Sequence, residues 1–276
     1  MSAPPLVIAT LVIGEDYRTN LQQCLESKRN YAERHKYMYL QGDEKFWDRT
    51  RPISWSKCLF FLQILERLPE GALVWASDAD VYITNPSLDF HTHVASLLPA
   101  DKDVLLSFDS CGHINGGNIL YRNTQWTRDW IRAIHSKSND PAVQNHIWWE
   151  TGAMDTDFKT NPETRKKVEI NVFAAKRFNA YCMGFTNKLH YINTAMDQLS
   201  PFTPTLEGTL VKLLRQGYPE CLLWTPGDFL IHFAGIYDSQ YMAELIARME
   251  KGEIPRLNMY NPREEIEFPV DADTHP

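Results

Sequence analysis

A chain of 276 residues with 43% hydrophobic and 12% aromatic content can bury a substantial core, as one large domain or a domain with a lobe. Its formal net charge of −7, with basic residues scattered along the chain, excludes the electrostatic footprint of a nucleic-acid binder. Five widely spaced cysteines (Cys24, Cys58, Cys111, Cys182, Cys221), with no Cys-x-x-Cys, argue against a disulfide framework and a zinc site and fit a reducing compartment. No apolar run approaches the roughly 20 residues of a membrane span. The first strand-like run begins almost at Met1, so a cytoplasmic protein is expected as the chain stands, unless an anchor has been removed.

Leu6 to Ile13 is a near-continuous β-branched run closed by Gly14, as expected of a strand buried on both faces of a parallel sheet. Leu21, Cys24, Leu25, Lys28, Tyr31 and Ala32 fall near helical spacing between Thr19 and His35. Tyr37 to Leu40 then reads as a second strand ended by Gly42-Asp43, giving a βαβ unit. The unit carries neither Gly-x-Gly-x-x-Gly nor a P-loop, so a nucleotide bound here would have its phosphates held by a metal.

Residues 54–68 put Trp55, Cys58, Leu59, Leu62, Leu65 and Leu68 on one helical face, and Pro69-Glu70-Gly71 ends the helix. It leads into Val74-Trp75-Ala76-Ser77-Asp78-Ala79-Asp80-Val81-Tyr82, an apolar strand that ends on two carboxylates. Burying such carboxylates unpaired is costly, which implies a cation, a hydrogen-bonding shell or a solvent-filled pocket. Mg²⁺ and Mn²⁺ take one or two carboxylates plus phosphate oxygens, so Asp78 and Asp80 are a candidate seat for a metal–nucleotide complex. A turn with capping carboxylates is the alternative.

Ile83 to Pro86 turns the chain, and Asp103 to Phe108 supplies a strand ending on Asp109 and Ser110. Asn115-Gly116-Gly117-Asn118, ahead of Ile119-Leu120-Tyr121, is either a close backbone approach to a ligand at a strand start or a hairpin turn. Asn123 and Thr124 can cap a helix to about Ser136 with Trp126, Trp130, Ile131 and Ile134 inward. Residues 141–158 are helical or mixed, and Glu150, behind Trp148-Trp149, is a candidate site acid. Val168 to Phe173 alternates like a strand, followed by Phe178-Asn179-Ala180-Tyr181, while residues 184–222 could form a lid or an acceptor-binding insertion. His232 stands in the apolar strand Phe229 to Gly235, where a hydrogen-bonded core histidine is the ordinary outcome. Asp238 caps an amphipathic helix ended by Gly252, and the polar chain after Pro255 is expected across the surface or mobile.

Taken in order, six pieces resemble glycosyltransferase family 34, which contains plant xyloglucan xylosyltransferases and yeast α-galactosyl- and α-mannosyltransferases. They are Asn30-Tyr31-Ala32-Glu33-Arg34-His35, Trp55-Ser56-Lys57, Trp75-Ala76-Ser77-Asp78-Ala79-Asp80, Asn115-Gly116-Gly117 with Tyr121 to Trp126, Phe178-Asn179-Ala180-Tyr181, and His232-Phe233-Ala234-Gly235. The resemblance spans about residues 6–236 and implies an α/β fold of the GT-A type: a Rossmann-like sheet flanked by helices, with the Asp-x-Asp motif at a strand end. It implies one catalytic domain over 1–255, with a nucleotide-sugar-binding half to about 125, an acceptor half from about 126, and a C-terminal tail over 256–276.

In such enzymes the Asp-x-Asp and a late histidine ligate Mn²⁺ on the donor diphosphate. The resemblance places these roles on Asp78, Asp80 and His232, with Mg²⁺ as the alternative ion. Donor-side contacts are expected from Thr10, Tyr17, Lys57, Ser77, Asp78, Asn115, Gly116, Gly117 and Gly235. The chain departs from the family pattern at Glu150-Thr151, where an acidic residue followed by Gln is usual. It departs again at Ile236-Tyr237, where a cysteine and a phosphate-binding lysine are often found; Lys57, Arg18 and Arg51 are candidate substitutes. The implied reaction moves xylose, galactose or mannose from a nucleotide-diphosphate sugar, UDP-linked, to a hydroxyl of a glycan or glycoconjugate acceptor with retention. Inversion would need a carboxylate base such as Glu150 or Asp109. The same resemblance makes the Golgi lumen the expected compartment if an N-terminal anchor has been removed. The rival readings are a metal-dependent nucleotide-sugar phosphohydrolase and a non-catalytic carbohydrate-binding protein.

Overall fold

A computed structural model describes residues 3–108, 113–170, 174–184, 223–258 and 261–266. Asp109 and nearly all of the 184–222 region, both singled out in the sequence, lie outside the described residues. The chain opens with β1 (Leu6–Leu11), α1 (Glu15–Asn20), α2 (Gln22–His35) and β2 (Met38–Gly42). Next come α3 (Ser56–Arg67), β3 (Leu73–Ser77), β4 (Val81–Ile83), α4 (Phe90–His93), β5 (Val104–Phe108) and β6 (Ile114–Arg122). They are followed by α5 (Gln125–Lys137), α6 (Pro141–Gln144), α7 (Trp149–Thr160), α8 (Pro162–Lys167), β7 (Val168–Ile170) and α9 (Ala174–Phe178). The last described elements are β8 (Met183–Gly184), β9 (Leu230–His232), α10 (Ser239–Glu250), β10 (Leu257–Asn258) and β11 (Asn261–Glu265).

Six strands form the central sheet in the order β2-β1-β3-β6-β5-β7, with β6 antiparallel to both neighbours and the other pairs parallel. Alternation along each strand serves two cores. Val7, Ala9, Val74 and Ala76 pack with Phe61, Leu65, Trp130 and Met154 of α3, α5 and α7. Leu6, Ile8, Leu73 and Trp75 pack on the other face with Tyr31, Phe90, Phe178 and Phe229. Because both faces are covered, β1 and β3 carry unbroken apolar runs, as read from the sequence. The expected α/β fold, with helices on both sides of the sheet and the Asp-x-Asp motif at the end of β3, is borne out.

One local expectation is corrected, one of two open readings is excluded, and a third is refined. Helix α3 buries Cys58, Phe60, Phe61, Ile64 and Leu65, a face rotated from the expected one; Leu59 and Leu62 are only half-buried. Leu59, Phe60, Phe61 and Leu62 are consecutive and all apolar, so periodicity alone does not select which of them meet the sheet. Asn115-Gly116-Gly117-Asn118 is no hairpin turn but lies inside β6, where the pairing with β5 jumps from Leu105–Leu120 to Ser107–Asn115. Beyond Pro255, where a chain across the surface or a mobile one is expected, β10 pairs with an exposed β11, and Leu257 is fully buried and joins the core made with α10. Among the described residues, no helix is long and apolar enough to cross a membrane.

Candidate active site

The Asp-x-Asp turn joins β3 to β4, and β4 pairs antiparallel with β9 so that Val81 faces His232. Phe233 N–H donates to the Asp80 carbonyl at 3.1 Å, and Asp78 N–H donates to the Gly117 carbonyl at 2.7 Å. These backbone bonds draw three distant segments onto one point. One ligand atom each from Asp78, Asp80 and His232 lies within 4.8 Å of the others. His232 Nε2 stands 3.4 Å from Asp80 Oδ1, and that oxygen is buried without a hydrogen-bond partner. An orphaned carboxylate oxygen is costly unless a cation completes it, and two carboxylates with one imidazole form a donor set suited to Mn²⁺ or Mg²⁺. The residues present therefore fit a divalent ion. Burial pushes the Asp80 carboxyl up, but the facing His232, with Lys28 and Lys57, outweighs it and holds the group below its ordinary range.

The missing side chains of Gly116 and Gly117 are what let Thr151 and His232 come so close. A Cβ on Gly117 would stand 2.0 Å from His232 Cε1, and one on Gly116 would stand 2.3 Å from Thr151 Oγ1. Both glycines thus serve packing at the site, with Gly117 directly beneath the imidazole.

Lys57, at the start of α3, places Nζ 2.6 Å from Asp78 Oδ1 and 3.4 Å from Glu150 Oε1. Burial disfavours its charge, but Asp78 and Glu150 reverse that and raise its pKa. Glu150 is 3% exposed and accepts from Ser54 Oγ at 2.5 Å. Burial raises its pKa, only partly offset by Lys57 and Ser54. It stands behind the lysine, whereas a cleft of about 330 Å³ in front is lined by Leu11, Ile13, Tyr17, Ile53, Ser54, Lys57, Asp78, Ala79, Trp149 and Tyr237. Trp149, at the first position of α7, has a positive φ of 42°, an unusual conformation for a bulky residue.

Of the remaining donor-side expectations, Tyr17 lines the cleft, whereas Thr10 is fully buried and Leu11 and Ile13 line the cleft at its strand end. Ser77 is buried at the end of β3. Asn115 Oδ1 accepts from Gly117 N–H at 2.8 Å, and Gly235, with φ of 82°, lies in the turn after β9. Two of the candidate phosphate-binding cations are engaged elsewhere: Arg18 with Glu15 and Glu44, Arg51 with Asp48 and Asn139. Among the described residues that line the cleft, Lys57 is the basic one.

Two residues given no site role from the sequence are central. Lys28, on the inward face of α2 and fully buried, donates to the Asp78 carbonyl at 2.5 Å and the Ala79 carbonyl at 3.3 Å. Burial lowers its pKa to about 8, with Cys24, Asp80 and Asp78 opposing. The signal was a lysine among the apolar positions of that helix. Asn179 is fully buried, with Oδ1 2.9 Å from His232 Nδ1.

Residues 3–106 match the model of the galactosyl transferase GMA12/MNN10 family, which bears out the family resemblance carried by the motifs. Among curated proteins, the chain is 25% identical over 198 residues to an uncharacterized alpha-1,2-galactosyltransferase of Schizosaccharomyces pombe, covering 58% of this chain and 50% of the relative. It is 23% identical over 196 residues to a probable alpha-1,2-galactosyltransferase of the same yeast, gmh2, covering 70% of this chain and 55% of the relative. The chain thus spans about half the length of these relatives. Among solved structures, the fold matches a glycosyltransferase involved in the glycosylation of the major capsid of PBCV-1, with a TM-score of 0.60 at 12% identity over 88% of this chain and 99% of that one.

Proposed function

We propose that this protein is a metal-dependent glycosyltransferase that moves a hexose or pentose, namely galactose, xylose or mannose, from a nucleotide-diphosphate sugar to a glycan hydroxyl. The observation that carries the reading is the convergence of Asp78, Asp80 and His232, with ligand atoms within 4.8 Å, beside a cleft of about 330 Å³. Asp78, Asp80 and His232 would hold Mn²⁺ or Mg²⁺. When bound, such an ion supplies the positive charge that offsets charge developing on a leaving diphosphate. Lys57 adds a fixed cation on the cleft wall, pinned by Asp78 and Glu150, so no reorganisation is needed when charge develops. Tyr17, Trp149 and Tyr237 offer aromatic surface to a nucleoside and a sugar ring.

Retention is the favoured stereochemistry. Among the described cleft-lining residues Asp78 is the carboxylate, and both it and Glu150 are paired with Lys57; Asp109, the other candidate base, lies outside the described residues, so retention is taken from the resemblance. The UDP-linked donor is taken from the resemblance, as are one catalytic unit over residues 1–255 with its donor half to about 125 and a tail over 256–276. Thermal-shift titration with UDP-galactose, UDP-xylose and GDP-mannose, with and without Mn²⁺, tests donor and metal together. Stabilisation requiring both, followed by sugar transfer to an oligosaccharide faster than free-sugar release, is expected. Full activity in excess EDTA, or hydrolysis as fast as transfer, would overturn the reading.

A further inference from the structure

The hydrogen bonds behind His232 fix which of its nitrogens carries the proton. Trp75 Nε1–H can only donate, and it meets Asn118 Oδ1 at 2.8 Å. That orients the Asn118 amide, so its Nδ2 is the atom that faces Asn179 Oδ1 at 3.0 Å. An amide nitrogen has no lone pair to offer, so its neighbour must be the carbonyl oxygen of Asn179. A second chain gives the same polarity independently. Gly117 N–H donates to Asn115 Oδ1, which orients that amide, and Asn179 Nδ2 stands 3.1 Å from the same oxygen. Asn179 therefore turns its oxygen towards His232 Nδ1, 2.9 Å away, and a carbonyl has no proton to give. Asp80 Oδ1, the rival acceptor, stands 3.4 Å from Nε2 and makes no hydrogen bond, so in the neutral ring the hydrogen sits on Nδ1, 2.9 Å from its acceptor, and Nε2 keeps its lone pair.

We infer that Trp75, Asn118 and Asn179 are positioning residues, a one-directional hydrogen-bond relay that presents His232 Nε2 as a cation ligand. All three are fully buried and His232 is 3% exposed, which keeps competing water from the relay. Trp75 lies three residues before Asp78, so the strand that delivers the carboxylates also sets the polarity of the histidine that joins them. The inference rests on the metal-site reading given above but is measured apart from it.

The test uses metal-free protein labelled with ¹⁵N-histidine, at alkaline pH where imidazole is neutral, with His232 assigned by the signal lost in His232→Gln. A protonated Nδ1 and a lone-pair-bearing Nε2 are expected in the wild type. A protonated Nε2, or a doubly protonated ring, would overturn the relay. Asn118→Leu combined with Asn115→Leu leaves every atom of His232 and Asn179 in place but removes both amides that orient Asn179. It should give a mixture of tautomers and weaken Mn²⁺ binding, titrated in the presence of UDP, by about 10-fold or more. Trp75→Phe in the Asn115→Leu background should shift the tautomers in the same direction. A merely structural role would lower the melting temperature of both variants while leaving the single Nδ1–H tautomer, and that result would overturn the relay. Absence of Mn²⁺ binding by a wild type with the expected tautomer would sink the metal reading and leave the relay standing.

Discussion

Gly117 and His232 are packed so closely that a single added carbon on the glycine would come within 2.0 Å of the imidazole. The glycine belongs to β6 and the histidine to β9, and their approach defines one side of the candidate metal site. Gly117→Ala must move the ring, because the carbon would overlap the imidazole itself. Mn²⁺ affinity should fall by at least about 10-fold, with the protein still folded. Calorimetric titration of Mn²⁺ with UDP, beside a melting curve, checks both parts; wild-type affinity in Gly117→Ala would show that His232 has room to spare.

Glu150 gives a prediction of opposite sign for stability and activity. Its folded pKa is raised by burial, so the ionised form is disfavoured in the fold, and stability is lost as pH rises from the unfolded carboxylate range through the folded value. Glu150→Gln removes that loss. Its melting temperature should exceed the wild type's at neutral pH, and the gap should close in acid. Turnover should fall by less than about 100-fold, because Glu150 acts through Lys57; a general base in contact with substrate contributes about 10²–10⁴. A loss of about 100-fold or more would make Glu150 the reacting group.

Lys28 provides the reverse pH dependence. Burial lowers its folded pKa to about 8, below the unfolded value near 10.4. Between those values the unfolded chain binds a proton that the folded protein does not, so wild-type stability should rise with pH across that window. Lys28→Met lacks this term. Melting temperatures of metal-free wild type and Lys28→Met, compared between about pH 7.5 and 10, should show the wild type gaining on the variant. Parallel curves would show that Lys28 keeps an ordinary pKa in the fold.

The sequence made most of this fold legible where one strong local pattern spoke. The apolar run of β1, the Asp-x-Asp at the end of β3 and the Asp238 cap of α10 each follow from adjacent residues. What it did not make legible were relationships between distant segments. Val81 and His232 face each other across about 150 residues, and no periodicity announces that pairing. The face of α3 was misread because Leu59, Phe60, Phe61 and Leu62 are consecutive and all apolar. Gly116-Gly117 reads equally as a turn or as a close backbone approach, and only the neighbours Thr151 and His232 show why side chains are absent inside a strand. Asn179 carried a motif but no role, since its role is to face a histidine in another element.

Asp80 is the decisive position for metal binding, and its burial changes which substitution is informative. Its side chain is 17% exposed, so it is not the solvated carboxylate expected of a surface turn, and truncation to Ala would also leave space beside His232. Asp80→Asn keeps the shape and removes the charge. Its folded pKa is held below the ordinary carboxylate value, against the pull of burial, by His232, Lys28 and Lys57. The ionised group therefore contributes stability above the unfolded pKa, and that contribution disappears as pH falls through the folded one. In metal-free protein Asp80→Asn should melt below the wild type at pH 7 and converge with it in strong acid. With metal, the loss of a ligand charge should weaken Mn²⁺ binding by more than about 100-fold, roughly 2.7 kcal/mol, and abolish transfer. Unchanged Mn²⁺ affinity in this variant, with the melting difference intact, would return Asp80 to a purely electrostatic partner of His232 and Lys28.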